Sequence, residues 1–350
     1  MNPTRFGIVG CGGIAGLHAE CLKKLEHEGL ARLVAGAENF PGTRAKFGEK
    51  WGVPMHETLP QLLGRNDIDV VTVCSPSGMH GQHSIEIAKS GRHVLCEKPL
   101  DLKLSVADEA IATAKAHHVV LSGIFQQRFA PGPMKVKRAV DQGFFGKLVL
   151  LHCETPWYRS QAYYDSGAWR GTWDLDGGVL SNQAPHMIDR LLWLGGEVEE
   201  VLHAACDCGK ERKVETETVA VASLRFKNGA LGTITGTTLA YEGMPQRVLV
   251  CGTEGSAAFQ GDELTYFKTS KPFEPEDSTP TPAAPGAPGG KQAADPLALS
   301  GDGHLGNIRD FVLALREHRP PAVPAEDYRR VVWLLNEIYK KAEVGPFARH

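Results

Sequence analysis

The sequence predicts an α/β protein in two parts: a doubly wound parallel sheet over residues 1–124, then an α+β domain over 125–350 with an open, mainly antiparallel sheet. Three observations predict it. A glycine-rich turn follows the first apolar run; short β-branched runs then alternate with longer amphipathic segments to about residue 123; and beyond Arg128 long alternating strands and tight turns take over. Alternating strands and helices give a parallel sheet with right-handed crossovers, whereas neighbouring alternating runs joined by turn residues give hairpins. The 350 residues, 42% of them apolar, suffice for two cores of ordinary size.

In the first part the expected strands are residues 6–9, 30–37, 70–74, 93–96 and 119–123, separated by helices. The first runs into Gly10-Cys11-Gly12-Gly13-Ile14-Ala15-Gly16. Glycines there serve a tight turn, the close approach of a pyrophosphate and helix packing on the strand, which is the Rossmann dinucleotide fingerprint. Gly10, Gly12, Gly13 and Ile14 are therefore candidate cofactor contacts. Glu38 ends the second apolar run, where a carboxylate accepts the ribose hydroxyls of NAD and repels a 2′-phosphate; Arg44 lies close enough to keep NADP in play. Ser105 with Asp108 reads as a capping signal for the helix that precedes residue 119.

The strand 93–96 stops on Glu97-Lys98-Pro99. Open α/β sheets bind ligands beyond the carboxyl ends of their strands, and a residue before proline is held extended, so Lys98 should project into that crevice. A lysine there can exchange protons near neutrality if burial or a cation lowers its pKa, and Glu97 can tune it the other way. A structural Glu-Lys surface pair is the competing reading.

In the second part the expected strands are 148–155, 218–226, 231–238, 246–252 and 256–259. Lys227-Asn228-Gly229 predicts a hairpin with a type I′ turn. Val219, Val221 and Ile234 suggest two semi-apolar sheet faces, which favours a homo-oligomer, dimer or tetramer, built sheet against sheet. Residues 271–298, with seven prolines, read as a mobile surface insert. Helices are expected at 305–318 and 325–341, the latter with an apolar stripe of Tyr328, Val331, Leu335 and Ile338. Between the strands, residues 176–195 predict one helix with Asn182 as N-cap, Pro185 in its first turn and Gly195 as its stop. His186 then lies at the positive end, which disfavours imidazolium and leaves a neutral ring able to accept a proton. A lone helical histidine is more often structural.

Composition removes other classes. With 38 basic against 41 acidic residues and no polybasic run, there is no electrostatic case for a nucleic acid or an anionic membrane. No apolar run approaches the ~18 residues of a membrane span. Eight scattered cysteines without C-x-x-C spacing point to reduced thiols in the cytoplasm, and Cys206-Asp207-Cys208 with His203 does not match zinc spacings, so no metal is expected.

Taken together, residues 10–15, the Ser75-Pro76 turn leading to His80, Glu97-Lys98-Pro99, Gln127-Arg128-Phe129, Trp169-Arg170-Gly171-Thr172-Trp173 and residues 177–186 resemble the Gfo/Idh/MocA family over nearly the whole chain. The resemblance implies NAD(P) on the first domain, with Ser75, Pro76, His80, Glu97 and Gln126 beside the glycine turn. It implies that Lys98 is the catalytic lysine and His186 the catalytic histidine, and that the second domain supplies substrate and oligomer contacts. Arg128, Tyr158, Arg170 and Trp173 are the candidate sugar contacts. Many members carry Asp four residues before the histidine; here it is Asn182, whose amide can orient a hydroxyl but cannot shuttle a proton. The Asn-Gln-x-x-His form is similar to members that oxidise nucleotide-sugar uronates or other pyranosides. The implied function is hydride transfer between a ring hydroxyl of a sugar, sugar derivative or cyclitol and nicotinamide. Glycoside cleavage by transient oxidation and elimination, or a non-catalytic nucleotide-binding role, are the alternatives.

Overall fold

A computed structural model describes residues 2–274 and 301–348. The chain divides into two compact units, Met1–Gln126 with Ser300–Val332, and Gln127–Leu299 with Trp333–His350.

The first unit holds a six-stranded sheet of β1 (Thr4–Val9), β2 (Ala31–Ala37), β3 (Met55–His56), β4 (Val70–Val73), β5 (His93–Cys96) and β6 (Leu121–Gly123) in the order β3-β2-β1-β4-β5-β6. Every neighbouring pair is parallel. All four residues of β4 are buried, because helices cover both faces of such a sheet, and this is why its strands read as continuous apolar runs. The strand order reverses between β1 and β4, which puts a crevice beyond their carboxyl ends. Sequence periodicity misses β3, whose two residues are too few to show a period.

The helix Gly301–Glu317 belongs to this unit, not to the second domain where the sequence reading placed it. Its Ile308, Phe311 and Val312 join Phe6, Ile8, Leu22, Leu25 and Leu95 in one core. An apolar stripe shows that a helix is covered, but not by which sheet. Tyr328 also lies here: its hydroxyl donates to Cys96 O at 3.1 Å and accepts from Ile124 N. A Cβ on Gly123 would fall 1.8 Å from its ring, so that glycine is required. The expected cap at Ser105 is not formed. The helix Leu104–Ala116 starts after Lys103 with no side-chain cap, and Asp108 instead binds the Arg329 guanidinium.

The second unit holds a seven-stranded sheet of β7 (Leu148–Pro156), β8 (Val198–Asp207), β9 (Val219–Phe226), β10 (Leu231–Thr237), β11 (Arg247–Gly252), β12 (Gly255–Gln260) and β13 (Glu263–Thr269), ordered β13-β12-β11-β7-β10-β9-β8. Pairing is antiparallel except between β7 and β10. The hairpin at Lys227-Asn228-Gly229 forms, but only Gly229 has positive φ (+86°). It is therefore a three-residue loop, closed by Phe226 N donating to Ala230 O at 2.9 Å, and not a type I′ turn.

Burial alternates along β9, with Ala220, Ala222, Leu224 and Phe226 covered. The two faces are thus unlike: Ile234 is fully buried on the covered side, whereas Leu150, Val221 and Leu231 are exposed on the other. The covering helix, Pro185–Gly195, buries Met187, Ile188, Leu191 and Leu194. A Cβ on Gly195 would meet Leu151 and Phe226 at 2.7 and 2.8 Å, so that helix end lies close against the sheet. Of the expected insert, residues 275–298 lie outside the described residues. Its start is docked, with Phe273 buried against Phe144 and Phe267 at ring-centroid distances of 4.9 and 5.9 Å.

Candidate functional site

The glycine turn of the first unit is built for close backbone approach. Gly10 has φ +80°, and a Cβ on it would lie 2.6 Å from Ser75 N and 2.7 Å from the Cys74 carbonyl carbon. Gly12 caps the 15-residue helix Gly13–His27 and is exposed, and a Cβ on it would have no heavy atom within 4 Å among the described residues. No side chain caps this helix start and no acidic residue sits in its first turn, so its N–H groups and positive dipole end suit a pyrophosphate. The small residue that packs helix on strand is Ala15, fully buried, while Gly16 faces open space. Gly13 and Ile14 form the first turn itself.

Glu38 is clamped at the same corner. One carboxylate oxygen accepts from Cys11 N at 2.8 Å and the other from Phe40 N at 2.9 Å. Each oxygen can accept a second hydrogen bond, so the group suits a ribose diol and opposes an added phosphate. Arg44 donates to Glu38 O at 2.7 Å and Asn39 O at 3.2 Å, which keeps a cation at this corner too. The fingerprint residues therefore fit a dinucleotide.

Beyond β5, every residue of the stretch 94–101 is buried except Lys98, and the Lys98–Pro99 peptide bond is cis. Glu97 turns inward, where its Oε1 meets His18 Nε2 at 2.8 Å and His304 Nε2 at 3.5 Å. His18 Nδ1 meets the buried Thr72 hydroxyl at 3.0 Å. The two histidines hold Glu97 well below the usual carboxylate range against the opposing effect of full burial. The other carboxylate oxygen accepts from Lys98 N at 3.2 Å. Glu97 is thus an internal brace for the turn that carries Lys98.

His80 braces the turn as well. Its Nδ1 lies 2.6 Å from Pro99 O and its Nε2 2.7 Å from Ser75 O, tying the ends of β4 and β5 together. Full burial pushes its pKa down. Ser75 Oγ meets His83 Nδ1 at 2.9 Å, and Pro76 leads the 3-10 turn Ser77–Met79. Gln126 opens the 3-10 turn Gln126–Phe129; a Cβ on Gly303 would come within 2.7 Å of its carbonyl oxygen. The sequence singled out Glu97 and His80 but not their partners: His18 and His304 stand 79 and 207 positions from Glu97, beyond any local motif.

In the second unit, one stretch repeats the pattern seen at Lys98. From Asp176 to Leu192 every residue is buried except Asn182 and His186. Asn182 is not an N-cap. It ends a separate short helix, Val179–Asn182, and its Nδ2 donates to Asp176 Oδ1. The next helix, Pro185–Gly195, is capped by Ala184 without a side-chain bond, has Pro185 first and His186 second, and stops at Gly196 with φ +89°, one residue later than expected. Gly177 needs its φ of +69°, and a Cβ on Gly178 would collide with Glu217 Oε2 at 1.7 Å.

Glu217 is the buried group beneath the short helix. Its Oε1 accepts from Leu180 N at 3.0 Å and from the Tyr339 hydroxyl at 2.8 Å, and Tyr339 lies 2.9 Å from Ser181 Oγ. Burial pushes its pKa up to about 7, with Asp176 adding to the rise. Glu217 escapes sequence reading because it belongs to none of the motifs and its partners Leu180 and Tyr339 lie 37 and 122 positions away.

The four expected sugar contacts differ in environment. Arg128 is buried, forks onto Asp189 and stacks over Trp193 at 5.3 Å, which makes it a structural cation. Arg170 donates to the Tyr163 hydroxyl at 2.6 Å and lies 4.3 Å over that ring and 4.4 Å over Trp169. The Trp173 ring packs edge-on to Tyr339 at 5.3 Å, and its backbone N–H donates to Glu215 Oε2 at 3.1 Å. Tyr158 stands between Tyr241, at 5.7 Å, and the Arg212 guanidinium, at 5.4 Å. Arg159, which the sequence reading did not select, is buried and stacks over Trp157 and Tyr163 at 4.8 and 5.3 Å.

Residues 4–125 match the oxidoreductase family model with an NAD-binding Rossmann fold, and residues 134–258 match the GFO/IDH/MocA C-terminal domain. The chain is 31% identical to the myo-inositol 2-dehydrogenase of Thermotoga maritima over 338 residues, 94% of this chain and 93% of that protein. It is 26% identical to the inositol 2-dehydrogenase of Rhizobium meliloti over 261 residues, 73% of this chain and 75% of that one. The WlbA dehydrogenase of Bordetella pertussis, crystallised with NADH and UDP-GlcNAcA, superposes with a TM-score of 0.85 at 29% identity over 97% of each chain. With the fingerprint turn, the clamped acid after β2 and both domain models in agreement, the chain belongs to the GFO/IDH/MocA family of NAD-binding oxidoreductases.

Proposed function

We propose that this chain is an NAD-dependent dehydrogenase that oxidises a ring hydroxyl of a sugar, sugar derivative or cyclitol, or reduces the corresponding ketone. One observation carries the assignment of roles: in the two motif stretches 94–101 and 176–192, burial spares only Lys98, Asn182 and His186. Buried motif residues serve the fold, and those left accessible are the ones able to meet a ligand. The named relatives act on inositol or are seen with UDP-GlcNAcA, which supports a polyhydroxylated ring as substrate.

Gly10, Gly12, Gly13 and Ile14 hold the pyrophosphate end of NAD and Glu38 its ribose. When bound, the nicotinamide supplies the hydride acceptor. His186, second in its helix, takes the hydroxyl proton as general base. Lys98 assists and stabilises the developing alkoxide, and Asn182 orients a neighbouring hydroxyl. Tyr158, Arg170 and Trp173 line the sugar side. Lys98→Met tests the assignment: NADH binding should persist while turnover falls by about 10²-fold or more. Near-normal turnover would return Lys98 to a structural role.

The exposed sheet face with Leu150, Val221 and Leu231 supports assembly of like subunits through the second unit. All eight cysteines are free, five of them buried, which supports a reducing, cytoplasmic setting. No helix among the described residues is long and apolar enough to cross a membrane.

A further inference from the structure

The contact between Asp176 and Asn182 sets more than local structure. Asp176 is only 1% exposed, and both its oxygens accept: Oδ2 from Gly171 N at 2.6 Å and Oδ1 from Asn182 Nδ2. The loop that carries it is closed on itself, since Asp176 N and Gly177 N both donate to Thr172 O, at 3.2 and 2.9 Å. The acceptor is therefore fixed before any substrate arrives. A primary amide has a donor end and an acceptor end on opposite sides of one planar group. With a carboxylate facing it, only the donor end can point inward, because a flipped amide would set two acceptors against each other in a buried place.

We propose that Asp176 is a positioning residue that fixes the Asn182 amide nitrogen-inward and so presents the Asn182 carbonyl oxygen as an obligatory acceptor. The inference rests on the reading above that Asn182 meets the substrate. It narrows what Asn182 can recognise: the group met there must donate a hydrogen bond, as a ring hydroxyl does, and an ether, keto or O-alkylated position is refused. It also explains an amide rather than an acid at position 182. A second carboxylate against Asp176 would force the pair to share one proton, as two close like charges do.

The test uses full-length protein. Melting temperature is measured at pH 5 and pH 8 without substrate, and NADH formation is followed with myo-inositol and with UDP-GlcNAcA. Asn182→Asp should melt like the parent at pH 5 and several degrees lower at pH 8, where both carboxylates ionise. The double variant Asp176→Asn/Asn182→Asp, with one acid and one amide again, should recover at pH 8. In turnover, Asp176→Asn should raise KM about tenfold with kcat within about twofold, the loss expected when one oriented hydrogen bond is released. The double variant should return KM toward the parent, since an accepting oxygen again faces outward. Equal melting losses for Asn182→Asp at both pH values, or no recovery in the double variant, would overturn the proposal. If Asn182→Ala raises KM while Asp176→Asn leaves it unchanged, the positioning role falls and the substrate role of Asn182 stands. If Asn182→Ala also leaves KM unchanged, the reading beneath it falls as well.

Discussion

Among the described residues each unit buries one glutamate, and the two have their pKa shifted in opposite directions. Glu97 is held well below the usual carboxylate range by His18 and His304, whereas burial pushes Glu217 up to about 7 although Leu180 N and the Tyr339 hydroxyl donate to it. Burial alone disfavours both charges to a similar extent, so the difference comes from the partners: two imidazoles that stabilise the anion against two neutral donors that do not suffice. The lesson is that position in a motif says nothing about protonation. Glu97 lies inside Glu97-Lys98-Pro99 and Glu217 in no motif, yet each supports the segment on which a candidate catalytic side chain stands.

The comparison breaks most visibly at Glu97. Replacing it by Gln leaves His18 and His304 without their shared anion in a closed interior, and should cost about 3 to 5 kcal/mol in urea unfolding, the scale for removing one member of a buried charged cluster. A loss below about 1 kcal/mol would mean that the cluster is not charged.

The next effect is pH-dependent and of opposite sign in the two units. Glu217 binds its proton more tightly folded, at about 7, than its ordinary value of 4.5, so its favourable contribution is present below 4.5 and lost as pH rises to about 7. That interval corresponds to about 3 kcal/mol. Glu97 contributes above its ordinary carboxylate pKa, and its share is lost as pH falls through its depressed folded pKa. Glu217→Gln should therefore flatten the stability profile between pH 5 and 8 without touching the acid limb. An unchanged slope in that variant would place Glu217 ionised like Glu97.

How much of this was legible in the sequence follows from the range of each interaction. The sequence singles out Gly10, Glu38, Lys98 and His186 as candidates because a turn, a strand end or a helix start fixes them locally. The partners that complete the braces were not found: Glu217 reaches Leu180 across 37 positions, and Tyr339 reaches Glu217 across 122. The helix Gly301–Glu317 was assigned to the wrong unit for the same reason, since its stripe matches any apolar surface. Arg128 was read as a sugar contact because a cation in a motif is indistinguishable from one forked onto Asp189 until the fold brings the two together.

The smallest effect sharpens the cofactor end. Glu38 opposes a 2′-phosphate while Arg44 lies on its backbone, so NADH should bind more tightly than NADPH, and Glu38→Ala should narrow the gap by about tenfold. Titration of both nucleotides by fluorescence measures this; tighter NADPH binding by the parent would reverse the assignment.

The most direct measurement is the coupled yield of one reaction. The protein is mixed with NAD and, in turn, myo-inositol, UDP-GlcNAcA and a panel of pyranosides; NADH is read at its absorbance band and the organic product is weighed by mass spectrometry. The account predicts, for at least one compound, NADH formed in equal amount to a product lighter by two hydrogens, with both signals lost together in His186→Asn. Nucleotide binding without turnover on any compound, or release of an aglycone with no net NADH, would contradict it.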